Sequence, residues 1–541
     1  MTQGDEQLDE LARDFWEWRA RHQPVTSDDL ARLERPADWS PDWSPDSVTR
    51  QQARLADFER RWHEIDAAPW PVPRQVDYRL IGSALARVRW ELDLLRGWER
   101  NPKFYIDQTL VALFEELLRR EPFDEARSAA IVRLLESFPR TLADGQTNLA
   151  RSAVRPFAEA ALAASRDARG VLTAVSRELK PRLAPESAAR LDGATEAAIL
   201  AVEGFSDWLV RRLPRMFWEG AVGRDHYAFF VRHVALMPFK PEELLAVGRQ
   251  EWERAVALEA VAQERARGTP ERPLFPDQTA QIERAERDEA AIRRFLEEHN
   301  LLTVPAWVRR YRNLPLPPYV EPLAALGVAT DFTSPTRLGE DGVSYILPPA
   351  PGLGYFALAS ARDPRPVIIH EGVPGHYLQM ALSWAQANWI RRHYYDSGPN
   401  EGIGFYAEEL MLQAGLFDDD PRARAVIYNF MRLRALRVEV DVKLALGLVT
   451  LEEAAENLQS RVPMDAETAR YEAAFFCSAP GQAISYQIGK LQLLKFLADA
   501  RLARREEFSL RAFHDFVWEN GNVPFALQRW EYFGLRDEID E

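Results

Sequence analysis

Cysteine is almost absent from this chain of 541 residues, with Cys477 the single example. An internal disulfide framework is therefore excluded, and thiols leave the compartment undecided. Long apolar runs are also missing. No stretch approaches the ~20 residues of a membrane-spanning helix. The start, Met1-Thr2-Gln3-Gly4-Asp5-Glu6, has neither the basic nor the apolar region of a signal peptide. A cytoplasmic protein with no membrane partner is expected. Positive charge is in deficit: the formal net charge is −15, which disfavours a nucleic-acid backbone as partner. There is no phosphate-cradling Gly loop, long internal repeat or low-complexity tract. Histidine is scarce, nine in all, so any clustering of it is informative.

What is present is apolar bulk in helical register. Hydrophobic residues make up 46% of the chain, with 16 Trp and 27 Phe. This length exceeds the usual size of one core. We expect a mainly α fold in two lobes, an N-terminal helical lobe over 1–300 and a catalytic lobe over 301–541, the two forming one continuous unit. Ile106, Leu110, Leu113, Phe114, Leu117 and Leu118 recur at helix spacing, with Glu115, Glu116, Arg119 and Arg120 opposite. A second helix is predicted from Asp277 to Glu298. The pattern breaks at Leu314-Pro315-Leu316-Pro317-Pro318-Tyr319 and again over 348–354. Near these breaks, Gly342–Leu347 and Tyr355–Ala359 read as short strands of a small sheet. The edge of such a sheet suits an extended peptide substrate.

Two of the nine histidines flank one glutamate in His370-Glu371-Gly372-Val373-Pro374-Gly375-His376. In H-E-x-x-H zinc hydrolases the histidines stand four apart on one helix face, and the Glu serves as base. Here they stand six apart. An unbroken helix would turn the rings roughly 240° from each other. Pro374 has no N–H and clashes with a carbonyl four residues back, that of His370. Gly375 opens conformations closed to other residues. A break followed by a new helical turn from His376 is the economical geometry. It is compatible with both rings on one metal and with rings that diverge. His63-Glu64 lacks a second His at ligand spacing, and His226 and His233 read as packing residues.

The next segment supplies carboxylates. Glu401 follows Ser397-Gly398-Pro399-Asn400, a turn cluster that ends in an N-cap candidate. Glu401 and Glu408 are seven apart and share a helix face. A His, His, Glu zinc site needs one such carboxylate as its third ligand. Glu401 is the first choice, and Glu408 is either the ligand or a supporting group. A third segment runs from Arg470 to Lys490, with Pro480-Gly481 breaking the chain before Tyr486. A phenol or guanidinium beside a zinc site can donate to an oxyanion, which makes Tyr486 and Arg470 candidates, with Tyr471 behind them.

In this order, His370 to Gln379, Glu401 to Glu408 and Pro480 to Gly489 resemble the bacterial DUF885 family, whose pattern is approximately H-E-x-x-P-G-H-x-x-Q, E-G-x-x-x-Y-x-E and P-G-Q-A-x-x-Y-x-x-G. Phe513-His514-Asp515 with Gly521-Asn522-Val523-Pro524 is similar to its closing segment. The resemblance is clear over roughly 310–535 and weaker towards Val76-Asp77-Tyr78. It implies a mostly helical fold similar to the gluzincin metallopeptidases, with a zinc site of His370, His376 and Glu401. Three positions depart from the pattern: Ile403 replaces a usual Trp, Tyr377 a frequent second His, and Ala445 a His four residues beyond Asp441.

The expected activity is zinc-dependent hydrolysis of a peptide or small amide substrate, with Glu371 as base and Tyr486 or Arg470 at the oxyanion. The rivals are a catalytically inactive peptide-binding or scaffolding protein on the same fold, and a non-peptide amide hydrolase.

Overall fold

The computed structural model describes residues 3–26 and 33–539. It is mainly helical, as expected, and among the described residues short strands lie only between 311 and 346. Two compact units emerge, and they are not sequential halves. One takes Met1–Ile65, Leu85–Ala221 and Leu316–Asp331; the other takes Asp66–Ala84, Val222–Pro315 and Phe332–Glu541. The boundary expected between residues 300 and 301 falls inside the second unit. A buried carboxylate accounts for this. Glu289, on the helix Gln278–Glu298, accepts from the Tyr311 N–H at 3.3 Å and pairs with Arg293 and Arg310. Separating that helix from the chain beyond 300 would take from the buried Glu289 its contacts to Arg310 and Tyr311.

The first unit contains the predicted apolar stripe. Ile106, Leu110, Leu113, Phe114, Leu117 and Leu118 are all buried. The helix carrying them is interrupted by one wide turn over Asp107–Val111, between Pro102–Ile106 and Ala112–Leu118.

The second unit is built around the helix Ser397–Gln413, which is buried along almost its whole length. It packs against the helix Ile484–Arg504 through glycine. A Cβ on Gly402 would lie 2.7 Å from the Gly489 carbonyl carbon, and one on Gly489 would lie 2.1 Å from the Gly398 carbonyl oxygen. Only residues without side chains allow so close a crossing. The helix starts earlier than the sequence suggests. Its N-cap is Asp396, whose side chain accepts from the Gly398 N–H at 2.8 Å. Pro399 sits in the first turn, where its missing N–H costs nothing. Asn400 is thereby freed from capping, and its amide donates to the Gln379 side-chain oxygen at 2.9 Å.

The strand predicted at 342–347 forms over Gly342–Ile346 and pairs in parallel with Tyr311–Pro315, from Tyr311 opposite Gly342 to Pro315 opposite Ile346. The other predicted strand is a helix, Tyr355–Ser360. Tertiary contacts override the β reading of this aromatic run. The Leu358 N–H bonds back to the Gly354 carbonyl at 2.8 Å, and the Tyr355 ring packs edge-on to Phe430 with centroids 5.6 Å apart.

Candidate metal centre

The Pro-Gly break folds the chain back on itself. Ile368–Gly372 forms a single wide helical turn, Val373 is extended, and a new helix runs from His376 to Ala385. A Cβ on Gly375 would lie 1.8 Å from the His370 carbonyl oxygen, so no other residue fits there. The Trp518 indole N–H donates to the Pro374 carbonyl at 2.6 Å and holds the break from the far side. Gln379 extends this anchoring. Its amide donates to the Gly521 carbonyl at 3.1 Å and the Asn522 side-chain oxygen at 3.2 Å. The closing segment thus secures the backbone between the two histidines.

This reversal brings the rings together. The His370 and His376 centroids are 4.6 Å apart at an interplanar angle of 78°. They rest on Gly404, where a Cβ would lie 2.7 Å from His376 Cε1 and 2.9 Å from His370 Cε1. The Glu401 Oε2 atom lies 3.3 Å from His370 Nε2 and 3.4 Å from His376 Nε2. It is buried and makes no hydrogen bond. A tetrahedral ion bound at ~2.0–2.1 Å sets its ligand atoms roughly 3.3–3.4 Å apart. The donor set and its spacing therefore fit one zinc-like cation.

Two further carboxylates approach the pair. One Glu371 oxygen lies within 4.8 Å of a ring nitrogen of each histidine, and the residue is half-buried. Glu371 and Glu401 thus both qualify by proximity as the third donor. Glu401 is the closer and the more deeply buried, and its oxygen is the one left without a hydrogen bond. Glu408 meets the opposite edge of His370, with Oε1 2.7 Å from Nδ1. The orphaned His376 Nδ1 has no counterpart of Glu408; the Phe332 ring stands edge-on to His376 with centroids 6.1 Å apart.

Electrostatics follow from burial among these carboxylates. Burial and Arg434 both oppose a proton on His370, but the close carboxylates of Glu401 and Glu408 outweigh them and push it up to about 9. Burial opposes the charge on Glu401, yet the two imidazoles hold it well below the usual carboxylate range. A cation entering this site displaces a proton from His370.

Tyr486 lies nearly parallel to His370, with centroids 6.2 Å apart at 16°. The helix bearing it starts after a turn held by the buried Asp441, which accepts from the Gly481 N–H at 2.9 Å, the Ala483 N–H at 2.7 Å and the Tyr227 hydroxyl at 3.1 Å. Burial pushes Asp441 up to about 7 even against those donors. Arg470 is exposed on the helix Ala466–Ser478, and Tyr471 is exposed beside it, stacked on Phe475. The guanidiniums nearest Tyr486 are instead those of Arg434 and Arg437, with Cζ 5.7 and 5.0 Å from its ring centroid. Both come from the helix Pro421–Ala445 and are buried, Arg434 against Glu408 and Arg437 against Glu472. The sequence reading passed over them. Their signal was weak: Arg434 and Arg437 stand three apart among Leu433, Ala435, Leu436 and Val438, but Arg432 and Glu439 flank them.

Solved structures that match include two chains aligned over nearly their whole length. A protein from Colwellia psychrerythraea, described as a "putative lipoprotein", aligns with a TM-score of 0.77 and 17% identity over 98% of each chain. One from Shewanella oneidensis, likewise described and of unknown function, aligns with a TM-score of 0.73 and 14% identity over 98% of this chain and 100% of that one. At such identities the likeness speaks for the fold alone. Among curated proteins, none matches the chain. A family model described as a bacterial protein of unknown function covers residues 28–529, and the chain accordingly belongs to the DUF885 family.

Proposed function

We propose that this chain is a zinc-dependent hydrolase that cleaves peptide or related amide bonds, with His370, His376 and Glu401 holding the ion. The observation that carries this reading is the buried, unbonded Glu401 Oε2, 3.3 and 3.4 Å from two imidazole nitrogens. Without a cation, only a proton on the imidazoles offsets the buried Glu401 charge. When bound, zinc supplies Lewis-acid polarisation of a carbonyl and a lowered water pKa. Glu371, half-buried beside the histidines, takes the proton of the attacking water and passes it to the leaving amine as the C–N bond breaks. The Tyr486 phenol, alongside His370, donates to the carbonyl oxygen as it gains charge. Arg470, exposed and without a contact to the cluster, is the weaker candidate for that donation.

Glu371→Gln tests the assignment. The variant is expected to bind zinc as the wild type does and to lose turnover by ~10²-fold or more in a peptide-library digest. Full activity in the variant would remove Glu371 from the mechanism. A non-catalytic peptide-binding role draws its support from Ile403, Tyr377 and Ala445, the departures from the family pattern. Substoichiometric zinc in purified protein, with no effect of chelator on stability, would favour that role. No described helix is long and apolar enough to cross a membrane. The expected cytoplasmic location is proposed against the lipoprotein descriptions of both solved neighbours. Cell fractionation tests it, and recovery with the envelope would overturn it.

A further inference from the structure

Arg434 is a buried cation that the proposed chemistry does not use. Its Nη2 atom lies 2.8 Å from Glu408 Oε1, and its Nη1–H donates to Glu408 Oε2 at 3.2 Å. Both oxygens of the carboxylate face one planar guanidinium, Oε2 through a hydrogen bond and Oε1 through an ion-pair contact. Glu408 Oε1 in turn lies 2.7 Å from His370 Nδ1. Arg434 Nη2 also reaches that nitrogen, at 3.4 Å, and can donate to it only when Nδ1 carries no proton. Aromatic rings wall in the guanidinium, with Cζ 5.0 Å from the Phe405 centroid and 5.7 Å from those of Phe430 and Tyr486. Three elements are thereby joined: the helix of Arg434, the helix of Glu408 and the turn of His370.

A carboxylate held at one point can rotate, but one gripped by a guanidinium fork has a single plane and a single orientation. That orientation matters because an imidazole has two nitrogens with opposite roles. If Nδ1 carries the proton donated to Glu408, Nε2 presents its lone pair towards Glu401 and His376. A ring flip about the Cβ–Cγ bond would put carbons where Nδ1 and Nε2 now stand and spoil the donor set.

We propose that Arg434 is a positioning residue that acts through Glu408. It locks the carboxylate in the plane that fixes the orientation and tautomer of His370, and so sets the affinity of the metal centre. This deepens the zinc reading above and rests on it. The rival is that Arg434 only balances a buried charge, in which case its loss lowers stability without passing through Glu408 to the metal.

A double-mutant cycle read as zinc affinity, on the full chain with a competing chromogenic chelator, separates these. Arg434→Met and Glu408→Gln are each expected to weaken zinc binding roughly ten- to hundredfold, and the double variant no more than the worse single one. Arg434→Lys, which keeps the charge but not the fork, is expected to fall between wild type and Arg434→Met. It also serves if the methionine variant does not fold. In the zinc-loaded wild type, the His370 Nδ1 proton is expected to exchange slowly with solvent, and faster in both arginine variants. Losses that add in the double variant, or zinc affinity within twofold of wild type in Arg434→Met and Arg434→Lys, would overturn the proposal. A wild type that binds no zinc would instead remove the reading on which it rests.

Discussion

At the scale of single residues, the centre depends on what is missing from Gly404. Both imidazoles occupy the space a side chain would fill, with their Cε1 atoms 2.7 and 2.9 Å from the position of a Cβ. Gly404→Ala must push at least one ring away, at a cost of about 1–3 kcal/mol in stability. Zinc affinity is expected to fall about tenfold or more, measured by chelator competition; unchanged affinity would mean the rings do not share an ion. A second residue, His514, titrates away from the centre. Its Nδ1–H donates to the Leu301 carbonyl at 2.7 Å and its Nε2 accepts from the Tyr406 hydroxyl at 2.8 Å, so the buried ring is neutral. Burial pushes it down to about 4, against 6.5 for an open imidazole. The unfolded chain therefore takes up this proton first. The contribution of His514 is complete above about pH 6.5 and is lost as pH falls towards 4, up to about 3 kcal/mol in all. Imidazole NMR is expected to find the Nδ1–H tautomer still neutral at pH 5; titration near 6.5 would contradict this.

At the scale of elements, two glycines decide how the carboxylate helix meets the tyrosine helix. Gly489→Ala would force a methyl group to within 2.1 Å of the Gly398 carbonyl oxygen, a backbone atom that cannot turn aside. The helices Ser397–Gln413 and Ile484–Arg504 must separate. The expected loss is about 1–3 kcal/mol by denaturant unfolding, and no loss would mean the crossing is looser than described. This contact also marks how far the sequence could be read. Gly402 and Gly489 stood out inside the motifs, but spacing alone does not say which backbone a glycine admits. The convergence of His370 and His376 was left open for a related reason. It depends on Val373 being extended and on Trp518 gripping the Pro374 carbonyl from 144 residues away. Local rules reached the break at Pro374-Gly375, not the direction in which the chain leaves it. The helix over 278–298 was legible because its cap, Asp277, and its periodicity agree. Tyr355–Ser360 was not, since six residues carry too little pattern to outweigh Asn429 and Phe430.

At the scale of the whole molecule, composition anticipated a mainly helical protein, and the division into units did not follow the chain in order. Asp66–Ala84 belongs with the metal-centre unit. Its membership is written in side chains: Asp77 accepts from the buried Arg391 at 2.9 Å, and Arg391 also pairs with Glu531. No periodicity in 66–84 announces partners more than 300 residues away. The central claim is narrower than the fold and can be tested directly. Anomalous scattering from a crystal grown with zinc is predicted to place one ion per chain, bound by His370 Nε2, His376 Nε2 and a Glu401 oxygen at about 2.0–2.2 Å. No anomalous peak between those three atoms, or an ion held elsewhere while they keep their present spacing, would contradict the account.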